Sequence, residues 1–528
     1  MLRPRRSSFL RAGIAVSALC LTAACGTTVP TRAGAPGDPA IGQVDQAEGL
    51  SAPVGADPGG APLPGQPANG GTMGGFAPGT STSGSGGDSG SSSGQPGTAP
   101  RTASGSSGGT VTRPGGSSSA VGPGITADKV YFGTLYYPDA AVANAGLGAE
   151  GASVPDQREF YDAVIEDVNK RGGILGRKLE PLYYEFRATS NQPADAQYQA
   201  ACDHWTKDNK VFAIVWRGRI MQECAMKAGT LALSGDGEAG PTYARVPNLV
   251  DPSHVRLERL GRATVSGLDR DKYFAPTPEW PTGRVGLLTW DDPSYKFGIT
   301  DGYLPGLKAL SIKPAIDTRY IAPAQTLNAI TDASAAVGSA VLAFKSAQVD
   351  HVLIQDGSAG LFGMGGLTLL FLQHAEQQDY YPRYGFNANN VPGFEIYPPA
   401  QQHGMLAVDF SDYTPRHDEG IAPNPARERC FKIMRENGIS LSGTNAMATA
   451  AGACDGVWFL ETLLERATAP TLRGALDAAT SLGTSYVSPN VYGTRLAPNK
   501  RDGGELARNA KFDDACRCMR YTTKPYAP

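Results

Sequence analysis

Histidine is scarce in this chain, six in 528 residues, and the six are scattered. His204 falls in a helical pattern beside Trp205 and His351 opens a strand pattern. Neither has a serine or cysteine partner that would make a nucleophile and its base. No histidine or second close cysteine pair supplies metal-ligand spacing, and no cofactor is expected. Clustered cations are missing too. The formal net charge is -3, and Arg3, Arg5, Arg6 and Arg11 precede Cys25 with no acid among them, so a chain processed there loses four positive charges and stands near -7. Phosphate binding calls for clustered cations, so nucleic acid is not an expected partner. Beyond the first 25 residues no stretch has the unbroken apolar length of a membrane helix. Between residue 26 and about residue 123, bulky apolar side chains are few and Gly, Ser, Pro, Thr and Ala dominate. Such a segment cannot bury enough surface to offset its ordering entropy and reads as a flexible tether. Gly87-Asp88-Ser89-Gly90 within it mimics a serine-protease motif, but a nucleophile needs a packed scaffold and a base in reach. Gly146-Leu147-Gly148-Ala149-Glu150-Gly151 fits a dinucleotide fingerprint, yet it lies well past the first strand instead of at its end, so a rim loop of a cleft is the better reading.

What is present begins with an export signal over residues 1–24: an arginine-rich start, then an apolar run from Ala12 to Ala24 too short to span a bilayer. Leu21-Thr22-Ala23-Ala24-Cys25 resembles a bacterial lipobox, with the leucine four positions before the cysteine. Cys25 would then carry the lipid, and the exported chain would sit on the outer face of the cytoplasmic membrane, anchored there by that lipid. Residues 25–123 make the lipidated cysteine and tether, and residues 124–528 the folded part.

The folded part is organised around Arg171-Gly172-Gly173-Ile174-Leu175-Gly176. Upstream, Ser153 caps a helix with Pro155 in its first turn, and Phe160, Val164 and Val168 form one apolar stripe. The glycine pair ends that helix, and Ile174-Leu175 tucks the turn onto the core. A strand through Leu182–Phe186 follows and the strand Val130–Leu135 precedes, making a strand-helix-strand unit. The alternation continues through Val211–Trp216 and Thr230–Leu233, passes a less regular crossing at 241–283 with a helical stretch near Leu257–Leu268, and resumes with strands at 284–290, 318–321, 351–355, 384–387 and 405–410. Two late helices lie near 425–437 and 446–467. Such alternation predicts an α/β chain of two similar lobes, each a parallel sheet flanked by helices, hinged around a central cleft. Ligands in such sheets sit beyond the carboxyl ends of strands, here the loops after Leu135, Trp216 and Leu233.

The order of these pieces, with the Asp291-Asp292-Pro293-Ser294-Tyr295 turn and the late Cys454-Asp455-Gly456-Val457-Trp458 helix, resembles type I periplasmic binding proteins. The leucine/isoleucine/valine-binding receptors of ABC transporters are the nearest branch. The resemblance implies lobe 1 at about 124–250 plus about 411–470, and lobe 2 at about 284–410 plus the C-terminal segment. It also implies a binding protein instead of an enzyme, which closes over a small polar ligand such as an amino acid, amide or related carboxylate and delivers it to an ABC permease. A binding protein that presents its ligand to a membrane signalling partner is the alternative.

By the same resemblance the ligand carboxylate meets loops after the lobe 1 strands. The first of these departs from the usual small Gly/Ser-rich sequence and reads Trp216-Arg217-Gly218-Arg219, while the next offers Ser234 and Asp236. Tyr295 matches an aromatic position near the ligand's amino group, and Asp356 and Asn387 stand in loops that complete the lobe 2 wall. No acid stands in the Asn387–Asn390 loop, where amino-acid binders often place one for the ammonium. Tyr136, Tyr137, Trp216 and Trp290 beside Arg217 suggest a pocket for a flat or bulkier anion, since arginine holds a carboxylate bidentately and aromatics stack on planar groups. Equally, Arg217 could pair with Glu223 or Asp236 while the tryptophans fill the core. Without Cys20 and Cys25, six cysteines remain, which allow 15 pairings. Sequence position, and a pairing similar to one in the family, favour Cys202 with Cys224; Cys430 with Cys454 would join the two late helices. Cys516 and Cys518 are left as a bridge or two thiols.

Overall fold

The computed structural model describes residues 121–149, 156–215, 219–233, 235–363, 365–390, 394, 396–411 and 423–528. The export signal, Cys25, the tether up to residue 120, Ser153, Pro155, Glu150, Gly151, Trp216, Arg217 and Ser234 lie outside the described residues.

The first unit forms as its pattern dictates. Strand β1 (Lys129–Tyr136) and strand β2 (Lys178–Glu185) pair in parallel from Lys129↔Lys178 to Tyr136↔Glu185. Between them come helix α1 (Ala140–Gly146) and helix α2 (Gln157–Lys170), and α2 buries Phe160, Val164 and Val168. Among the described residues the cap of α2 is Asp156, whose carboxylate accepts from the Arg158 amide at 3.0 Å. Losing such a cap costs about 1 kcal/mol, so Asp156→Ala should lower the unfolding free energy by about that much in a denaturant titration and leave ligand affinity alone.

Gly172 and Gly173 have φ of 108° and 70°. A Cβ on Gly173 would fall 2.0 Å from the Arg177 carbonyl oxygen, so no larger residue fits. Only half of the apolar pair turns inward: Ile174 is fully buried, whereas Leu175 adopts a φ of 51° and is exposed. Strand β2 starts four residues earlier than its apolar pattern suggested. It is the edge of its sheet, so most of its side chains are half-exposed, and Pro181 is tolerated there because an edge strand need not donate every ladder hydrogen bond.

Lobe 1 continues with α3 (Ala194–Asp203), β3 (Ala213–Val215), α4 (Arg219–Ala228), β4 (Leu231–Leu233), α5 (Gly240–Arg245) and β5 (Leu249–Val250). Its sheet runs β2-β1-β3-β4-β5, all parallel. The stretch expected to be less regular holds the short α5 and β5, and the helix expected near 257–268 is present. That helix, α6 (Leu257–Arg270), packs Leu257, Leu260, Val265 and Leu268 into the core of lobe 2.

Lobe 2 proper contains β6 (Val285–Trp290), α7 (Pro293–Gly298), α8 (Leu304–Ala309), β7 (Arg319–Ile321), α9 (Ile330–Ser346), β8 (His351–Gln355), α10 (Gly366–Gln377), β9 (Arg383–Asn387) and β10 (Leu406–Asp409). The helical stretch 327–346 is, by length and composition, long and apolar enough to cross a membrane, contrary to the expectation from the sequence. It instead buries Val337, Val341 and Phe344 in the lobe 2 core.

The chain then returns to lobe 1 as α11 (Pro425–Glu436), α12 (Thr444–Arg466) and α13 (Leu472–Ser481), whose apolar faces join α2 in one core that extends to Leu496. It ends back in lobe 2 with β11 (Arg508–Asp513) and β12 (Cys518–Tyr521), which add antiparallel edges to give the order β12-β11-β10-β9-β8-β6-β7. The lobes are thus joined by three crossings, at 251–256, between Phe410 and Asn424, and near 497–507. Two of these crossings are laced together. Asp251 pairs with Asp502, and the buried Asp502 carboxylate takes the guanidinium of Arg259 and the backbone amide of Arg256. Disulfides join Cys202 to Cys224 and Cys430 to Cys454, and a third joins Cys516 to Cys518 in the β11–β12 turn.

Candidate functional site

A cavity of about 430 Å³ lies between the lobes. Its walls begin where the strands end: Tyr137 follows β1, Phe186 and Ala188 follow β2, Val215 closes β3, and Gly235 follows β4. Across the cleft, Ser358 follows β8 and Ala388 and Asn389 follow β9. The third wall is α12, which presents Asn445, Ala448, Thr449, Gly452 and Gly456, positions that recur every three or four residues along one helix face. Glycine at 456 is needed because a Cβ there would meet the Val215 side chain at 2.7 Å. At Gly452 a Cβ would meet no atom within 4 Å.

The lobes touch around this cavity. The Ala194 amide donates to the Gln325 carbonyl at 2.8 Å, Ser358 Oγ to Asp236 at 3.3 Å, Gln373 to the Leu147 carbonyl at 3.3 Å, and Ser294 Oγ to Glu238 at 3.0 Å. Burial pushes the Glu238 carboxyl up to about 7 against the opposing hydrogen bonds from Gln222 and Ser294, and the charges of Asp292 and Asp236 push the same way.

The residues proposed from sequence divide sharply. Tyr137 lines the cavity, its ring 5.1 Å from Phe186, which in turn lies 4.9 Å from Tyr198. Tyr136 points elsewhere: its hydroxyl donates to Glu185 at 2.8 Å and the Arg158 guanidinium lies 4.2 Å from its ring. Asp236 and Tyr295 line a second, smaller cavity of about 100 Å³ beside the first. Trp290, Asp356 and Asn387 line neither and are fully buried. Trp290 stacks behind Phe362 and donates to the Gly357 carbonyl at 3.0 Å, so it backs the wall. Asp356 accepts from the Gly357 amide and from both the amide and the hydroxyl of Thr368, in the first turn of α10. Burial raises its pKa to about 6. Asn387 donates to Tyr303 and accepts from the Asn389 amide. The hydrogen-bonding capacity of both is turned to their own chain.

No protein-family model matches the chain, and none of the curated proteins compared with it does. Solved structures do. A fatty acid ABC transporter substrate-binding protein from Thermomonospora curvata superposes with a TM-score of 0.52 at 15% identity, over 78% of this chain and 95% of that one. A possible leucine/isoleucine/valine-binding protein from Rhodopirellula baltica gives 0.53 at 12%, over 75% and 97%. A solute-binding protein of an ABC transporter from Rhodopseudomonas palustris HaA2, in complex with p-hydroxybenzoic acid, gives 0.53 at 14%, over 76% and 97%. The chain has the type I periplasmic-binding fold.

In this type I periplasmic-binding fold the site is built from strand-end loops of both lobes plus one returning helix, and that helix is what sequence reading missed. Its signal was present as small residues at 448, 449, 452, 453 and 456. Asp455, on the same helix, also lines the cavity, but its carboxylate is held by Tyr486 at 2.6 Å, Ser488 at 2.9 Å and Asn490 at 3.0 Å. Burial raises its pKa against those hydrogen bonds. The stretch from Gly146 was expected to be a rim loop of the cleft, and helix α1 leads into it. The chain is helical to Gly146, and Leu147 and Ala149 beyond it line the cavity.

Proposed function

We propose that this chain is an extracytoplasmic solute-binding lipoprotein. It captures a small molecule by closing two lobes over it, and it hands that molecule to an ABC permease while Cys25 keeps it on the membrane. The observation that carries the reading is a cavity walled by strand-end loops of two lobes that are joined by three chain crossings, with hydrogen bonds between the lobes around it. Closure is then a ligand-driven shift of an open-closed equilibrium, with the ligand contacting both lobes better in the closed state than in the open one. Arg217 follows two residues after Val215, which lines the cavity, and we assign it to a carboxylate on the ligand. The chain acts as a binding protein and not as an enzyme.

The test is native mass spectrometry of the purified chain to identify a co-purified small molecule, followed by titration with it. Saturable one-to-one binding with a smaller radius of gyration in solution scattering is expected, as is at least a tenfold loss of affinity in Arg217→Ala. A bound molecule that is chemically converted, or binding without compaction, would refute the clamshell.

A further inference from the structure

We infer that the solute is an elongated, predominantly apolar molecule with a single polar end, of the class of acyl or aryl-alkyl carboxylic acids and their amides, and not a zwitterionic amino acid. This rests on the solute-binding reading above and names the chemistry of that same cavity.

Volume is the first argument. At about 30 Å³ for a water-sized group, 430 Å³ holds roughly fourteen such groups, more than a leucine-sized ligand fills. A ligand that leaves much of a closed apolar cavity empty forfeits the contacts that would favour closure.

The second argument is the character of the walls. Lobe 1 offers the aromatic row Tyr137, Phe186 and Tyr198, and lobe 2 offers Leu327, Leu361 and Leu369. The face of α12 carries little bulk, with Ala448, Gly452 and Ala453 leaving a channel along the helix beside Asn445 and Thr449. Most of the area these surfaces present is apolar, which favours length and apolar area in a ligand.

Charge decides between the classes. An amino acid brings an ammonium and a carboxylate, and taking each from water costs several kcal/mol unless a counter-charge or a set of hydrogen bonds receives it. Among the described lining residues there is no lysine or arginine, and the carboxylate is that of Asp455, already bonded to three side chains. The other polar groups in the wall are largely engaged within the chain. Gln157 accepts from the Tyr137 amide, Asn389 donates to the Asp356 carbonyl and Asn490 donates to Asp455. His254 sits 3.1 Å from Asp251. Asp236, which could have met an ammonium, reaches instead across the cleft toward Ser358. None of the described lining residues is placed to receive an ammonium, whereas one polar end needs only one anchoring point.

The experiment is calorimetric titration of the purified chain with hexanoate, octanoate and decanoate, their amides, phenylbutyrate, leucine and glutamine, after removal of any co-purified molecule. Affinity is expected to rise about three- to fourfold per methylene along the acyl series, with leucine and glutamine at least a hundredfold weaker than decanoate. Binding of leucine or glutamine with no response to the acyl and aryl-alkyl compounds overturns the ligand class and leaves the solute-binding reading intact. No saturable binding to any of them, together with unchanged solution scattering throughout, overturns both.

Discussion

Replacing Gly452 by phenylalanine should abolish ligand binding without unfolding the protein. The position is half-buried on α12, lines the cavity, and has open space where a Cβ would go. A benzyl group takes up on the order of 200 Å³ if each non-hydrogen atom needs about the volume of a water, which is near half of the 430 Å³ available. Glycine inside a helix is itself unfavourable by about 1 kcal/mol relative to alanine, so a larger residue at 452 should if anything steady α12. Affinity for the solute found by native mass spectrometry is expected to drop at least a hundredfold, with a thermal midpoint within about 2 °C of the parent. Gly456→Phe provides the contrast: one turn further on, the added side chain runs into Val215, and that variant should fail to fold. An unchanged affinity in Gly452→Phe would place the ligand outside this cavity.

The two glycines also show what was readable in the chain beforehand. The framework was legible because burial enforces periodicity: Phe160, Val164 and Val168 could only be a helix face, and Val352, Leu353 and Ile354 a buried strand. Elements that escaped or shifted were those without such enforcement, namely the half-exposed edge strand β2 and the C-terminal ladder of β11 and β12, where charged residues interrupt the apolar run. The site was legible as a set of loops but not as a set of side-chain directions. Tyr136 and Tyr137 are neighbours at a strand end, and neighbouring residues in a strand face opposite ways, so one meets the cavity and the other meets Glu185. Trp290, Asp356 and Asn387 stand close behind the wall, yet their polar atoms bond to their own lobe, an outcome that depends on where Gly357, Thr368 and Tyr303 lie in space. The α12 wall was missed for a different reason. What it contributes is the absence of bulk, and a run of small residues on a helix has the same composition whether it faces a ligand or another helix.

Ligand affinity and folding stability should both weaken as pH rises from about 5 to 8, and Glu238→Gln should remove the share of that dependence that Glu238 carries. Glu238 lies in lobe 1, 6% exposed, and its carboxylate receives Gln222 from its own lobe at 2.7 Å and Ser294 from lobe 2 at 3.0 Å. Thr242 shares the Ser294 hydroxyl at 3.1 Å, and the facing charges are Asp236 and Asp292, both acidic. Burial raises the Glu238 pKa from its ordinary 4.5 to about 7. The folded, closed protein therefore keeps a proton there between those values that the unfolded chain gives up. More protons in the folded state means that stability falls with rising pH. The contribution is fully present below pH 4.5, declines up to pH 7 and is gone above it. Two and a half pKa units correspond to roughly 3 kcal/mol, an upper figure if water reaches the site. Opening of the cleft separates Glu238 from Ser294 and admits water, so the closed state carries the same sign and affinity should fall about tenfold or more over that range. Glutamine keeps the shape of the neutral acid and cannot ionise. Asp356, raised to about 6 by burial, acts in the same direction in parent and variant alike, so the difference between their denaturation curves isolates Glu238. Parallel pH profiles for the two proteins would show that the proton between the lobes plays no part in holding them closed.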